Sequence, residues 1–386
     1  MKELFSEEEY TQRIRNLDEK INDIDTFILF NRADTFYYSG IGLDGFIIKE
    51  NDNYSRYVTR NLDVAKELST LDIKEMKNFR IFKDIGKNLD IDKIGLELDL
   101  VPYNTVRYIV NAMGNPEVID ISNQLRQIRS VKSAKEQEYM KLAAKQTDDS
   151  FEYAKEIIKP GMTEKELSAE IGKFLRFQGH PGYVQVRMFH YNYTALSYVM
   201  SGESTYALNA KFGPFSGNGS CRYHMNGPSN RKIKMNEAVS IDTTGVVEGY
   251  TADETRGFFL GNPDKIIYDA YEAAKTVQNK SKQLLVEGNY PIDIYNQLQE
   301  LVRELGFGDN FMGLRDDVVP FIGHGVGLEL DEFPIITPGY KDKLIAGQLI
   351  AMEPKFILDN PKTGIGIEDT WIVGKTSAEK ITNFEW

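Results

Sequence analysis

Four acidic side chains interrupt strands that are otherwise apolar, and the cost of burying charge there limits what this chain can fold into. The segment Ala238–Gly261, AVSIDTTGVVEGYTADETRGFFLG, reads as two strands joined by a tight turn around Val247–Gly249. In an antiparallel hairpin, opposed residues share a face and faces alternate with period two. A two-residue loop at 247–248 sets Asp242 directly opposite Asp253, and one at 248–249 sets them one diagonal step apart. Either register leaves both carboxylates on one face. Leu349–Val373, LIAMEPKFILDNPKTGIGIEDTWIV, repeats the pattern around a polar turn that contains Pro and Gly. A loop of even length puts Glu353 and Glu368 on one face as well. Two unpaired carboxylates about 4 Å apart repel by roughly 4 kcal/mol at an effective dielectric near 20, so such a pair needs a proton or a cation between its members. Solvated aspartates beside a turn would explain the first pair blandly. An edge-strand glutamate would explain one member of the second pair, and is a poor account of both.

A third segment, Phe321–Pro334 (FIGHGVGLELDEFP), places His324 between Gly323 and Gly325, with Gly327 following. Backbone can approach closely there while the imidazole points inward. GHGVG lacks the Gly-Lys-Ser/Thr ending of a phosphate loop. An isolated histidine is more often an ordinary hydrogen-bonded residue than a ligand, and the company of four carboxylates reverses those odds. Two divalent ions would neutralise the four carboxylates. Hard oxygen ligands with one imidazole favour Mn, Co, Fe or Zn, and a dinuclear site would acidify a bridging water and polarise a carbonyl.

The rest of the chain sets the context. It has 386 residues and a formal charge of −12, with no Lys/Arg cluster, which argues against a nucleic-acid partner. The lone Cys221 excludes an intrachain disulfide framework and fits a reducing compartment. The N-terminus is charged where a signal peptide needs apolar residues, and no run approaches the ~18 apolar residues of a membrane span. A cytoplasmic protein with no membrane partner is expected. Residues 1–127 alternate short strands and helices: Asp25–Asn31, Gly45–Lys49, Tyr57–Thr59, Phe79–Phe82 and Ile94–Leu98 as strands, Glu8–Ile24 and Asn104–Met113 as helices, with a turn at 51–53. Ala134–Ile158 reads as a long amphipathic helix stopped by Pro160-Gly161, and Thr163 with Glu166 forms a capping-box pattern that opens another helix to about Gln178. From about 183 the chain is strand-rich, broken by helices near 264–287 and 291–305. The boundary is placed near Gln127–Lys132, giving domains 1–127 and 132–386.

In order and spacing, IDTTGVVEGYTADETR, GHGVGLELDEFP, MEP and GIGIED resemble the metal motifs of the pita-bread metallopeptidases, in the aminopeptidase P, prolidase and creatinase branch. The likeness covers about 132–386; the first 125 or so residues are similar in type to that branch's smaller N-terminal domain. The resemblance implies an α+β fold, a C-terminal pita-bread domain behind an α/β creatinase-like domain, and a homodimer. It implies two divalent metal ions held by Asp242, Asp253, His324, Glu353 and Glu368. Asp242 would chelate one ion, His324 the other, Asp253 and Glu368 would bridge, and Glu353 would add general base and acid function. The activity implied is X-Pro aminopeptidase or prolidase cleavage of a small peptide. Two departures bear on substrate. Asp331 stands where these peptidases carry a substrate-contacting histidine, and His224 matches a second such histidine only with one residue inserted. His224 and Asp331 are therefore candidate catalytic and substrate contacts. His190 either lines the pocket or is structural. A relative acting on a non-peptide metabolite, or an inactive peptide-binding homologue, are the alternative expectations.

Overall fold

The computed structural model describes residues 4–51, 53–188, 191–209 and 213–386, with backbone only at 191–193. Its contacts divide into two units, Met1–Arg129 with Arg187–His190, and Ser130–Val186 with Tyr191–Trp386.

The first unit is built on a six-stranded mixed sheet in the order Asp72–Glu75, Asn53–Val58, Gly45–Glu50, Thr26–Leu29, Lys93–Leu96, Glu117–Asp120. Gly45–Glu50 and Asn53–Val58 form the hairpin that the polar 51–53 stretch announces, with Asn51 at φ 55°. The apolar sides of Ile28, Phe46, Ile48, Ile94 and Leu96 close on Phe82, Ile85 and Ile109. Phe79–Phe82 is not a strand. The helix Ile81–Gly86 starts there, and Phe82 and Ile85, three apart, both turn inward, so the period is helical rather than alternating. The strand at this edge is Asp72–Glu75, whose polar, half-exposed DIKE sequence carries no apolar alternation to read.

Arg32–Ser39 is a short helix capped by the Asn31 side chain, which accepts from Ala33 N. It carries Asp34 into a fully buried position, where Arg129 Nη1 and Arg187 Nη1 each lie 2.8 Å from its carboxylate. Burial alone would raise the Asp34 pKa. The two guanidinium groups overcome that and hold it at about 2. Removing the charge takes from both buried cations the carboxylate they share, and Arg187 keeps Asp99 at 2.7 Å. We expect Asp34→Asn to lower stability by about 3–5 kcal/mol in urea titrations near neutral pH. Because the folded pKa lies below the ordinary 3.8, the wild-type advantage is complete above that value and fades as pH falls through about 2.

In the second unit, Ser133 and Glu136 form a full capping box at the start of the helix Ala134–Ile157. Thr163 and Glu166 do the same for Glu164–Phe177, with Glu166 N donating to Thr163 Oγ1 (3.1 Å) and Thr163 N to Glu166 Oε2 (2.8 Å). These helices pack on a three-stranded sheet in the order Tyr250–Leu260, Glu237–Val247, Ser197–Ser201. Gly245 permits the approach, since a Cβ there would sit 1.9 Å from Ala143 O. The helices Lys265–Leu284 and Pro291–Glu304 back the rest of the unit. There a five-stranded sheet runs Glu332–Ile336, Gly323–Gly325, Leu349–Met352, Asp369–Ile372, Glu379–Lys380. Val239 and Ile241 point into the first helix layer and Met352 into the second. Alternation therefore sends Asp242 and Glu353 to the opposite face.

Candidate metal centre

The first hairpin turns at Glu248-Gly249, both with positive φ (50° and 86°), the backbone that a two-residue hairpin loop requires. Its register pairs Asp242 with Thr255 and Thr244 with Asp253. The aspartates are one diagonal step apart on a shared face, the second of the two arrangements the sequence leaves open. In the second hairpin, Met352 opposes Asp369 and Lys355 opposes Gly366, in one continuous register. The ladder is broken between them. Met352 O and Ile367 O, released by the break, accept from Gln278 Nε2 at 2.6 and 3.3 Å. Glu368 pairs instead with Thr255 of the first hairpin, Thr255 N to Glu368 O at 3.2 Å and the reverse at 3.0 Å. That bridge joins the two sheets and brings both acidic pairs to one place.

His324 enters from Gly323–Gly325, beside Leu349–Met352. Its Nδ1 lies 3.1 Å from both Gly325 O and Leu330 O. Carbonyls only accept, so Nδ1 carries the proton and Nε2 offers its lone pair to the cluster. Nε2 faces Glu368 Oε1 at 3.7 Å, Glu353 Oε1 at 3.9 Å and Asp253 Oδ2 at 4.0 Å. Ligand atoms of Asp253, His324 and Glu368, all buried, lie within 4.8 Å of one another, a spacing one metal ion can span.

Asp242 is oriented differently. Its Oδ2 lies 3.0 Å from the ammonium of Lys355, which is also 2.9 Å from Glu353 Oε2 and 2.9 Å from Glu368 Oε2. Lys355 is itself buried. Gly366, opposite it in the ladder, leaves the room, since a Cβ there would fall 2.5 Å from Lys355 Cγ. Lys355 is not among the residues that the motifs single out. Two residues beyond Glu353 along a strand, its side chain must project from the same face as the glutamate, and that spacing was the available signal.

These charges tune one another. Burial pushes Glu353 up to about 7, with Glu368 adding to the rise and Lys355 opposing it. Burial, then the neighbouring Glu368 and Asp242, drive Asp253 well above the usual carboxylate range. Glu368 is pushed up by burial, but Lys355 and His324 outweigh that and hold it below its ordinary value.

The remaining candidates lie elsewhere. Asp331 Oδ1 sits 3.6 Å from His324 Nδ1, behind the imidazole and away from Nε2, with its side chain about a third exposed. His224 is exposed, its ring edge-on to Tyr223 at 4.7 Å, and has no contact with the carboxylates among the described residues. His190 lies outside the described residues.

The chain is similar to known proteins over nearly its whole length. Residues 138–375 match the model of metallopeptidase family M24, and residues 12–131 match the creatinase/prolidase N-terminal domain. The chain is 26% identical over 376 residues to the Xaa-Pro dipeptidase of Pyrococcus furiosus, covering 96% of this chain and 97% of the relative. Among solved structures, the prolidase from Pyrococcus horikoshii superposes with a TM-score of 0.81 at 23% identity, covering 98% of this chain and 99% of the other. The Xaa-Pro dipeptidase from Bacillus anthracis superposes with a TM-score of 0.83 at 22% identity, covering 97% and 98%. Both structures are alike in fold.

Thr255 fixes the Glu368 carboxylate through Oγ1, which donates to Oε2 at 2.9 Å in a buried setting. We expect Thr255→Val, nearly equal in shape, to lower stability by about 2 kcal/mol, read by urea unfolding in chelator.

Proposed function

The chain belongs to metallopeptidase family M24, and from that premise we propose that it removes the N-terminal residue of a small peptide whose second residue is proline. One observation carries the reading: Asp253, His324, Glu353 and Glu368 converge from four segments of the chain into one buried cluster, with the His324 lone pair turned toward the carboxylates. The names of the relatives, Xaa-Pro dipeptidases, support the substrate class. They favour it over a non-peptide metabolite or an inactive peptide-binding protein.

The donor set fits a divalent ion. Carboxylate oxygens and one neutral imidazole suit Mn, Co, Fe or Zn, and Asp253, His324 and Glu368 would hold it. Such an ion supplies Lewis acidity toward the scissile carbonyl and toward water. The Glu353 carboxyl, held near pKa 7, can take a proton from water and return it to the departing amine nitrogen within one turnover. His324 keeps one tautomer because two carbonyls hold its Nδ1 proton. Asp331 adds negative charge behind that imidazole, on the side of the Nδ1 proton. A homodimer in the cytoplasm, with Mn as the working ion, completes the proposal.

Turnover of Ala-Pro, Gly-Pro, longer X-Pro peptides and Leu-p-nitroanilide with added Mn or Co tests the reading; the X-Pro substrates are expected to be cleaved. Metal-loaded protein silent toward all of them would overturn it. Glu353→Gln is expected to lower kcat by about 10²–10⁴ with a smaller change in KM. Asp331→His should alter preference among these substrates more than it alters metal content. Equal losses in both would show that Asp331 serves the metal rather than the substrate.

A further inference from the structure

We propose that Lys355 is a built-in cation standing where a second metal ion would sit, so that the centre takes one divalent ion, at Asp253, His324 and Glu368. Its ammonium is the shared partner of Asp242, Glu353 and Glu368, at 3.0, 2.9 and 2.9 Å. Those are charge-assisted hydrogen-bond distances. Asp242, expected to chelate the ion that His324 does not bind, thereby turns to the lysine and stays outside the group of mutually close ligand atoms.

Charge arithmetic agrees with this placement. The four carboxylates carry −4, and the buried ammonium answers one of those charges before any ion binds. With Lys355 present, one ion leaves a single negative charge. The lysine is also anchored sterically. It lies on the strand Lys355–Asp359 two residues from Glu353, its stem fills the space beside Gly366, and its ammonium is 5.7 Å from the centre of the Phe215 ring. An ion in the Asp242 position would require that ammonium to leave three carboxylates and the pocket.

The proposal deepens the metallopeptidase reading and rests on it, but ion counting uses no substrate, so the two can fail separately. Full-length protein stripped with a chelator and reloaded with Mn²⁺ is examined by elemental analysis, titration calorimetry and electron paramagnetic resonance. We expect about one Mn²⁺ per chain, with the spectrum of an isolated ion. Lys355→Ala should raise the content toward two and give exchange-coupled features. Because that variant exposes four carboxylates to one another and can fail to fold, Asp242→Asn provides a second measurement. It should change Mn²⁺ affinity less than about threefold, whereas Asp253→Asn or His324→Ala should weaken it more than a hundredfold. Two ions per wild-type chain would overturn the proposal. So would a coupled spectrum with Lys355 intact, no ion bound at all, or an Asp242→Asn loss equal to that of His324→Ala.

Discussion

Negative charge that cannot reach water governs the second unit. Asp253, Glu353 and Glu368 are all buried, and their mutual repulsion is strong where water is scarce. Three devices counter it. Lys355 bonds to two of them and to Asp242, and the His324 lone pair completes a set that can surround a metal ion. Third, burial raises the pKa values of Asp253 and Glu353, Glu368 adds to the rise, and both shifts favour the uncharged forms. Removing Lys355 would strand the carboxylates that it bonds to. The same arithmetic keeps Glu353 close to neutrality in its proton affinity, which is what an acid–base residue in a peptidase needs.

Much of this could be read from order and spacing. Period-two alternation was enough to set Asp242 and Asp253 on one face, and to do the same for Glu353 and Glu368 once their loop was even. Thr163 and Glu166 announced their helix because a capping box is a local device, complete within four residues. What stayed hidden depended on distant partners. The choice between two hairpin registers rests on the positive φ values of Glu248 and Gly249, which local sequence does not dictate. The Phe79–Phe82 stretch has aromatic residues that suit a strand as well as a helix, and its packing against the sheet decided the matter. Asp72–Glu75 is a strand because Asn53–Val58 offers it a free edge.

Lys355 is the most informative omission. Lysine in a strand ordinarily reads as a solvent-facing residue, and the neighbouring Pro354 and Phe356 give no hint otherwise. Its meaning emerges only once the Glu353 face is known to be buried. At that point a cation two residues away has nowhere to go except among the carboxylates. Asp331 is a milder case: the motif does not disclose its place beside the far nitrogen of His324.

The centre straddles a seam. Asp242 and Asp253 come from one sheet, His324, Glu353 and Glu368 from the other side of it. Across the join run the Thr255–Glu368 bridge, the Thr370 hydroxyl bonded to the backbone of Asp253, and the Arg256 guanidinium reaching Glu368 O at 2.7 Å. A guest held by both halves acts as a rivet, and its grip is set by how stiffly the backbone around Thr255 resists parting. Retention of an ion there would therefore be a mechanical property of the joint as well as a chemical property of the side chains that touch it.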